Sequence, residues 1–181
     1  MDNDRLLTER LTDPATRREA FGQMVDQYGE QIYWHVRRMV LIHEDANDVV
    51  QNIFLKAWTA LDSFRGDSKL TTWLYRIAQN ESIDFVRRQQ RHPQVSEDAA
   101  DNGVARQLMA DSYFDGDKTE ALLHQAISQL PEVQRTVFQM RYFEDMKYSE
   151  ISQILNTSEG ALKASYHIAV KKISEFFHRQ D

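Results

Sequence analysis

In "DVVQNIFLKAWTAL", residues 48–61, the apolar side chains Val49, Val50, Ile53, Phe54, Ala57, Trp58 and Leu61 recur at steps of three and four. That spacing gives one broad buried stripe on an α-helix. The same helical pattern runs almost unbroken from Ala15 to Arg91 and returns from Thr119 onward. A chain patterned this way folds by packing helix on helix. Only 6 glycines and 3 prolines in 181 residues argue further against an all-β chain. With 41% apolar residues there is enough to bury the cores of one or two small helical domains. The expected class is all-α, with two small helical domains.

Two interruptions divide the pattern. The first is "FRGDSK", Phe64 to Lys69, where a glycine and small polar residues break the helix. A new helix is expected from Thr71 or Thr72, either a suitable N-cap, to near Gln90. Leu74, Ile77, Ala78, Ile83 and Phe85 are its apolar positions, and Arg76, Arg87, Arg88 and Arg91 should point outward. The second interruption, Pro93 to Glu120, carries seven acidic residues (Glu97, Asp98, Asp101, Asp111, Asp115, Asp117, Glu120) against Arg106 and Lys118. It reads as a flexible acidic linker, extended by self-repulsion and partly helical around "VARQLMA". A solvated linker with no partner fits its composition equally well. The domain boundaries expected are 1–92, a linker over 93–118, and 119–181. In the second block "ALLHQAISQL" carries a helical stripe, and Pro131 suits the first turn of the next helix. There Val133, Val137, Phe138, Met140 and Tyr142 can face inward.

The most informative stretch is "YSEISQILNTSEGALKASYHIAVKKI", Tyr148 to Ile173. Ile151, Ile154 and Leu155 make one apolar face, with the small Ser152 where a partner helix could cross. Asn156 ends that run, since asparagine tolerates the left-handed backbone of a tight helix–helix turn. Ser158 is a natural N-cap for a second helix. On it Leu162, Tyr166, Ala169 and Ile173 share one face, and Gly160, Lys163, Ala164, His167 and Lys171 share the other. That division matches a helix-turn-helix whose second helix enters the DNA major groove by its N-terminal end. Lys163 and Lys171 suit phosphates, and His167 suits a phosphate or a base edge. An ordinary helical hairpin with solvated lysines shares the spacing.

Other classes find less support. Without cysteine there is no disulfide, thiolate site or cysteine nucleophile, which fits a reducing cytoplasm. The charged start "MDNDRLLTERLTDP" lacks the apolar run of a secretory signal. No stretch approaches the roughly 20 apolar residues that span a bilayer. The six histidines make no metal-ligand spacing, and there is no glycine-rich phosphate loop, so no enzyme, cofactor or small-molecule substrate is expected. "HED", His43 to Asp45, reads as a solvated helix start. A net charge of −6 speaks against a free-standing DNA binder.

"LPEVQRTVFQMRYFEDMKYSEISQILNTSEGALKAS" resembles region 4 of the extracytoplasmic-function (ECF) sigma factors, promoter-specificity subunits of bacterial RNA polymerase. "EDANDVVQNIFLKAW" and "FRGDSKLTTWLYRIAQNESIDFVRRQQR" resemble region 2 of the same family, in the family's order and separation. The resemblance implies core RNA polymerase and promoter DNA as partners, a cytoplasmic location, and an anti-sigma factor, often membrane-anchored, as regulator. By the same resemblance Asp48, Gln51, Asn52 and Leu55 dock on the polymerase. Arg65, Asp67, Ser68, Lys69, Arg76, Asn80, Arg87 and Arg88 would meet the minus-ten strand, where a base is flipped onto the protein. Ser158, Glu159, Gly160, Lys163, Ala164, His167 and Lys171 would meet the minus-thirty-five element. Trp73 stands where the family has a tryptophan, for core packing or base stacking, and Asp84 would orient a neighbouring arginine. The acidic linker would thread polymerase channels that otherwise take nucleic acid. The recognition helix departs from the family pattern: Ser165, Ile168 and Val170 occupy positions where many relatives have arginine, which predicts fewer phosphate contacts. The rival is a ligand-sensing regulator binding an operator alone, which leaves the region 2 resemblance without a role.

Overall fold

A computed structural model describes residues 2–91 and 103–181; among them every regular element is an α-helix. The chain divides into two compact units, residues 1–88 and 89–181.

The first unit holds α1 (Asp2–Thr12), α2 (Arg17–Val40), α3 (His43–Ala60) and most of α4 (Leu70–Arg91). Its core draws on all four: Leu7 and Leu11, Met24, Ile32 and Val36, Val49, Ile53 and Ala57, Leu74 and Ala78. The helix α1 is absent from the expectations above, yet Leu7 and Leu11, one turn apart, are sealed at 1% and 0% exposure. Its polar side is tied down as well, because the Tyr28 hydroxyl donates to the Asp4 carboxylate. Burial first, and that bond second, push the Tyr28 hydroxyl well above its usual pKa, so it stays a donor. Across the core, His35 of α2 meets Gln79 of α4 at 2.9 Å, and Lys56 of α3 pairs with the buried Glu81 of α4.

The stripe on α3 is narrower than its spacing predicts. Val49, Ile53, Ala57 and Leu61 are buried, Val50 and Phe54 are half-buried, and Trp58 is exposed. Trp58 meets Phe21 of α2 edge-on at 5.1 Å and keeps its other face in water. The helix α4 starts earlier than expected, at Leu70, and its first turn closes from the Trp73 amide to the Lys69 carbonyl at 3.1 Å. Thr72 is therefore a buried first-turn residue and not a cap. Leu74 and Ala78 are buried, whereas Ile77, Ile83 and Phe85 are half-buried.

The second unit holds α5 (Gly103–Ala110), α6 (Lys118–Ser128), α7 (Glu132–Tyr142), α8 (Tyr148–Leu155) and α9 (Glu159–Gln180). Residues 93–102 of the expected linker lie outside the described residues. "VARQLMA" lies in α5, which packs on α6: Ala105 and Leu108 are buried, and the Ala105 amide donates to Gln125 Oε1 at 3.1 Å. Asp117 caps α6 by accepting from the Glu120 amide at 2.9 Å. The central cluster is Ala126, Ile127, Leu130, Phe138, Ala169, Ile173 and Phe176, so α6, α7 and α9 hold the unit together.

Three expectations for α7 need correction. Pro131 is the N-cap, with extended ψ of 149°, and its carbonyl starts the helix by accepting from the Arg135 amide at 2.9 Å. Val133 and Tyr142 are each 54% exposed. Val133 lies in the first turn of α7. Tyr142, in the last turn, lies over Phe138 at 5.0 Å, with its outer side open to water.

Candidate nucleic-acid interface

On α3, Asp48, Gln51, Asn52 and Leu55 fall at i, i+3, i+4 and i+7, and all four are exposed. Leu55 keeps 66% of its surface in water. Beside it a cleft of about 560 Å³ runs between α3 and α4, lined by Leu55, Thr59, Ile77, Asn80 and Asp84 among others. The cleft brings together Leu55 and Asn80, for which the family resemblance implies different partners.

The loop between α3 and α4 is pinned at both ends. Phe64 is buried, and its ring lies 4.5 Å from that of the half-buried Trp73; Leu70 is buried as well. Trp73 thus packs against the loop's root. Between the pins Arg65, Gly66, Asp67 and Lys69 are exposed and Ser68 is half-buried. Gly66 has φ +75°, and a Cβ there would lie 3.2 Å from Thr8 Cγ2 of α1. Glycine answers both constraints, the left-handed backbone and the close approach. Arg76, Asn80, Arg87 and Arg88 are exposed on α4. Arg88 Nε donates to the backbone carbonyl of Asp84 at 3.3 Å, while Asp84 lines the cleft beside Asn80.

In the second unit the helix-turn-helix takes its shape from local chemistry. Glu150 accepts from the Lys147 amide at 2.8 Å and secures the start of α8. Asn156 is left-handed at φ 51°, ψ 47°, and Ser158 Oγ accepts from the Ala161 amide at 3.3 Å. Ile151, Ile154, Leu162, Ala169 and Ile173 are buried between the helices and the core. Ser158, Glu159, Gly160, Lys163, Ala164, His167 and Lys171 are all exposed. The acidic Glu159 sits in the first turn of α9, where the helix dipole favours it. Tyr166 is only half-buried, 5.7 Å from Phe138 and 6.4 Å from Tyr148 between ring centres, and burial pushes its hydroxyl above the usual pKa.

Ile168 and Val170, two of the positions where relatives have arginine, are 42% and 41% exposed. Sequence reasoning overlooked Arg141 and Tyr148. Arg141 Cζ and Lys163 Nζ lie 5.3 Å and 5.7 Å from the centre of the Tyr148 ring. No linear signal marks such a cluster, because its members come from α7, α8 and α9. Among the described residues no group of three or more histidine or carboxylate side chains is placed to hold a metal. None of the described helices is long and apolar enough to cross a membrane.

The family description "Sigma-70 region 2" matches residues 24–92, and "Sigma-70, region 4" matches residues 120–173. The two matches thus make the chain a sigma-70-type factor, with α1 and α5 outside the matched segments. The chain is 34% identical over 157 residues to the ECF RNA polymerase sigma factor SigW of Bacillus subtilis, spanning 82% of this chain and 84% of SigW. It is 32% identical over 179 residues to the RNA polymerase sigma-H factor of Pseudomonas aeruginosa, spanning 90% and 88% of the two chains. Among solved structures, CnrH in complex with the cytosolic domain of CnrY superposes with a TM-score of 0.74 at 24% identity, covering 98% of this chain and 99% of CnrH. The chain belongs to the ECF RNA polymerase sigma factors.

Proposed function

We propose that this chain binds core RNA polymerase and directs initiation at promoters by reading a minus-thirty-five and a minus-ten element. The observation that carries this is the outer face of α9. A capped turn presents Gly160, Lys163, Ala164, His167 and Lys171 together, and all five are exposed. Lys163 and Lys171 are suited to phosphates, His167 to a base edge, and Gly160 and Ala164 to close approach. In the first unit, Asp48, Gln51, Asn52 and Leu55 dock α3 on the polymerase. Arg65, Asp67, Ser68, Lys69 and Asn80 hold an unpaired minus-ten base, and Arg76, Arg87 and Arg88 hold its backbone.

The role is non-catalytic and placed in the cytoplasm; of the tether expected over 93–118, residues 103–110 form α5 and pack on α6. A net charge of −6 fits it, because the polymerase supplies most phosphate contacts and holds both readers on one promoter. The regulator expected with this reading is an anti-sigma factor covering the exposed face of α3 and its cleft. CnrH, a structural neighbour, was solved with the cytosolic domain of CnrY.

Two sets of variants separate the steps. Leu55→Asp should abolish co-elution with core polymerase, because it puts a charge on the docking face. Asn80→Ala should leave co-elution intact but lose permanganate reactivity of minus-ten thymines at a promoter. Equal damage to both steps by both variants would reject this division of labour.

A further inference from the structure

Asn80 stands exposed on α4 between two buried polar neighbours, Gln79 and Glu81. Each neighbour is tied to a different helix. The buried His35 of α2 has its Nε2 2.9 Å from Gln79 Oε1, and because an amide oxygen can only accept, the imidazole donates. The His35 ring is itself braced, edge-on to the buried Tyr75 at 5.1 Å. On the other side Lys56 of α3 reaches in from water, and its ammonium donates to the Glu81 carboxylate. A helix advances about 100° per residue, so positions 79 and 81 point roughly 200° apart around α4. The two bonds therefore grip α4 from opposite sides and fix its rotation about its own axis.

Leu74 and Ala78 hold α4 to the core, but apolar burial is non-directional and leaves that rotation loosely set. A hydrogen bond is directional, and a buried charge is costly to leave without its partner. Buried polar pairs add little net stability over an apolar pair; what they add is selection of one arrangement. We propose that Gln79 and Glu81, with their partners His35 and Lys56, are positioning residues that set the rotation of α4 and so aim Asn80 at the unpaired minus-ten strand. This rests on Asn80 being a strand-capturing residue. A turn of α4 about its axis would swing Asn80 away from the cleft it shares with Leu55.

The test compares opening with docking for the polymerase holoenzyme, read as permanganate reactivity of minus-ten thymines and as co-elution with core polymerase. His35→Leu with Gln79→Leu, and Lys56→Met with Glu81→Leu, replace each polar pair by apolar side chains of similar volume. Neither replacement should lower the melting temperature or co-elution. Each should reduce permanganate reactivity several-fold, toward the level of Asn80→Ala. Lys56→Arg keeps the ion pair and should keep the parent's reactivity. Asn80→Ala added to either replacement should cost little more, because a misaimed Asn80 has already lost its contact. Parental reactivity in either replacement, or fully additive losses with Asn80→Ala, overturns the proposal. So does equal damage to docking and opening with a lowered melting temperature, which marks a merely structural role. Should a replacement not fold, Glu81→Gln and Glu81→Ala decide. The glutamine still accepts from Lys56 and should keep the parent's reactivity, the alanine should lose it, and equal reactivity in the two overturns the proposal. A parent holoenzyme that opens no promoter, or parental reactivity in Asn80→Ala, would instead overturn the reading on which the proposal rests.

Discussion

Lys163 and His167 lie one turn apart on the bare face of α9, and they should fail in different ways. Lys163→Ala removes a phosphate contact, so it should weaken all promoters about equally and lower the salt slope by about one. If His167 reads a base, His167→Ala should cost roughly 1–3 kcal/mol on the preferred minus-thirty-five sequence and much less on variants at one position. Ile168→Arg should raise the salt slope, because it puts a cation where 42% of the apolar side chain now meets water. Holoenzyme binding to a promoter library at two salt concentrations measures all three; uniform, salt-insensitive losses would show that this face is not in the groove. At this scale, what sequence reasoning recovered was local. Asn156, Ser158 and the alternation of faces on α9 follow from bonds a few residues long. The exposed Trp58 and the Arg141–Tyr148–Lys163 cluster depend on which helix lies alongside, and spacing carries no record of that.

Among the elements, α1 shows how a short helix escapes sequence reasoning. Its charged residues dominate the composition, while only Leu7 and Leu11 carry the burial. Yet α1 supports the loop assigned to the minus-ten base, through Thr8 against Gly66 and through Arg17, whose guanidinium bonds the Leu11 carbonyl at 3.2 Å and Asp62 at 2.7 Å. Gly66→Ala must strain a left-handed backbone and push on Thr8, so it should slow promoter opening while polymerase co-elution stays intact. An opening rate equal to the parent's would show that the loop tolerates a Cβ. The elements of the second unit are sensitive in another way. Leu162 has 0% exposure at the junction of the helix-turn-helix with its core, so Leu162→Ala should cost about 2–5 kcal/mol of that unit's stability. Chemical denaturation followed by circular dichroism reads this, and a cost under about 1 kcal/mol would mean the site collapses around the gap. Tyr166→Ala should cost less than its place on the buried stripe predicts, because Tyr166 is only half-buried.

For the whole molecule, helical periodicity made the all-α class and the two units legible, because each core is built from faces that the spacing already declares. Composition proved a coarser guide between them. "VARQLMA" lies in an acidic stretch, but Ala105 and Leu108 are three residues apart on one face, and α5 packs on α6 through them. The net negative charge looks wrong for a DNA binder only when the chain is taken alone; a subunit on a polymerase borrows its affinity from the assembly. The most direct test of that dependence is in vitro transcription from a pool of genomic fragments, with core RNA polymerase and this protein mixed in equal amounts. The expected result is initiation at a small set of start sites sharing minus-thirty-five and minus-ten sequences, absent when either component is omitted. Initiation that does not change when this protein is added, together with no co-elution with core polymerase, would contradict it.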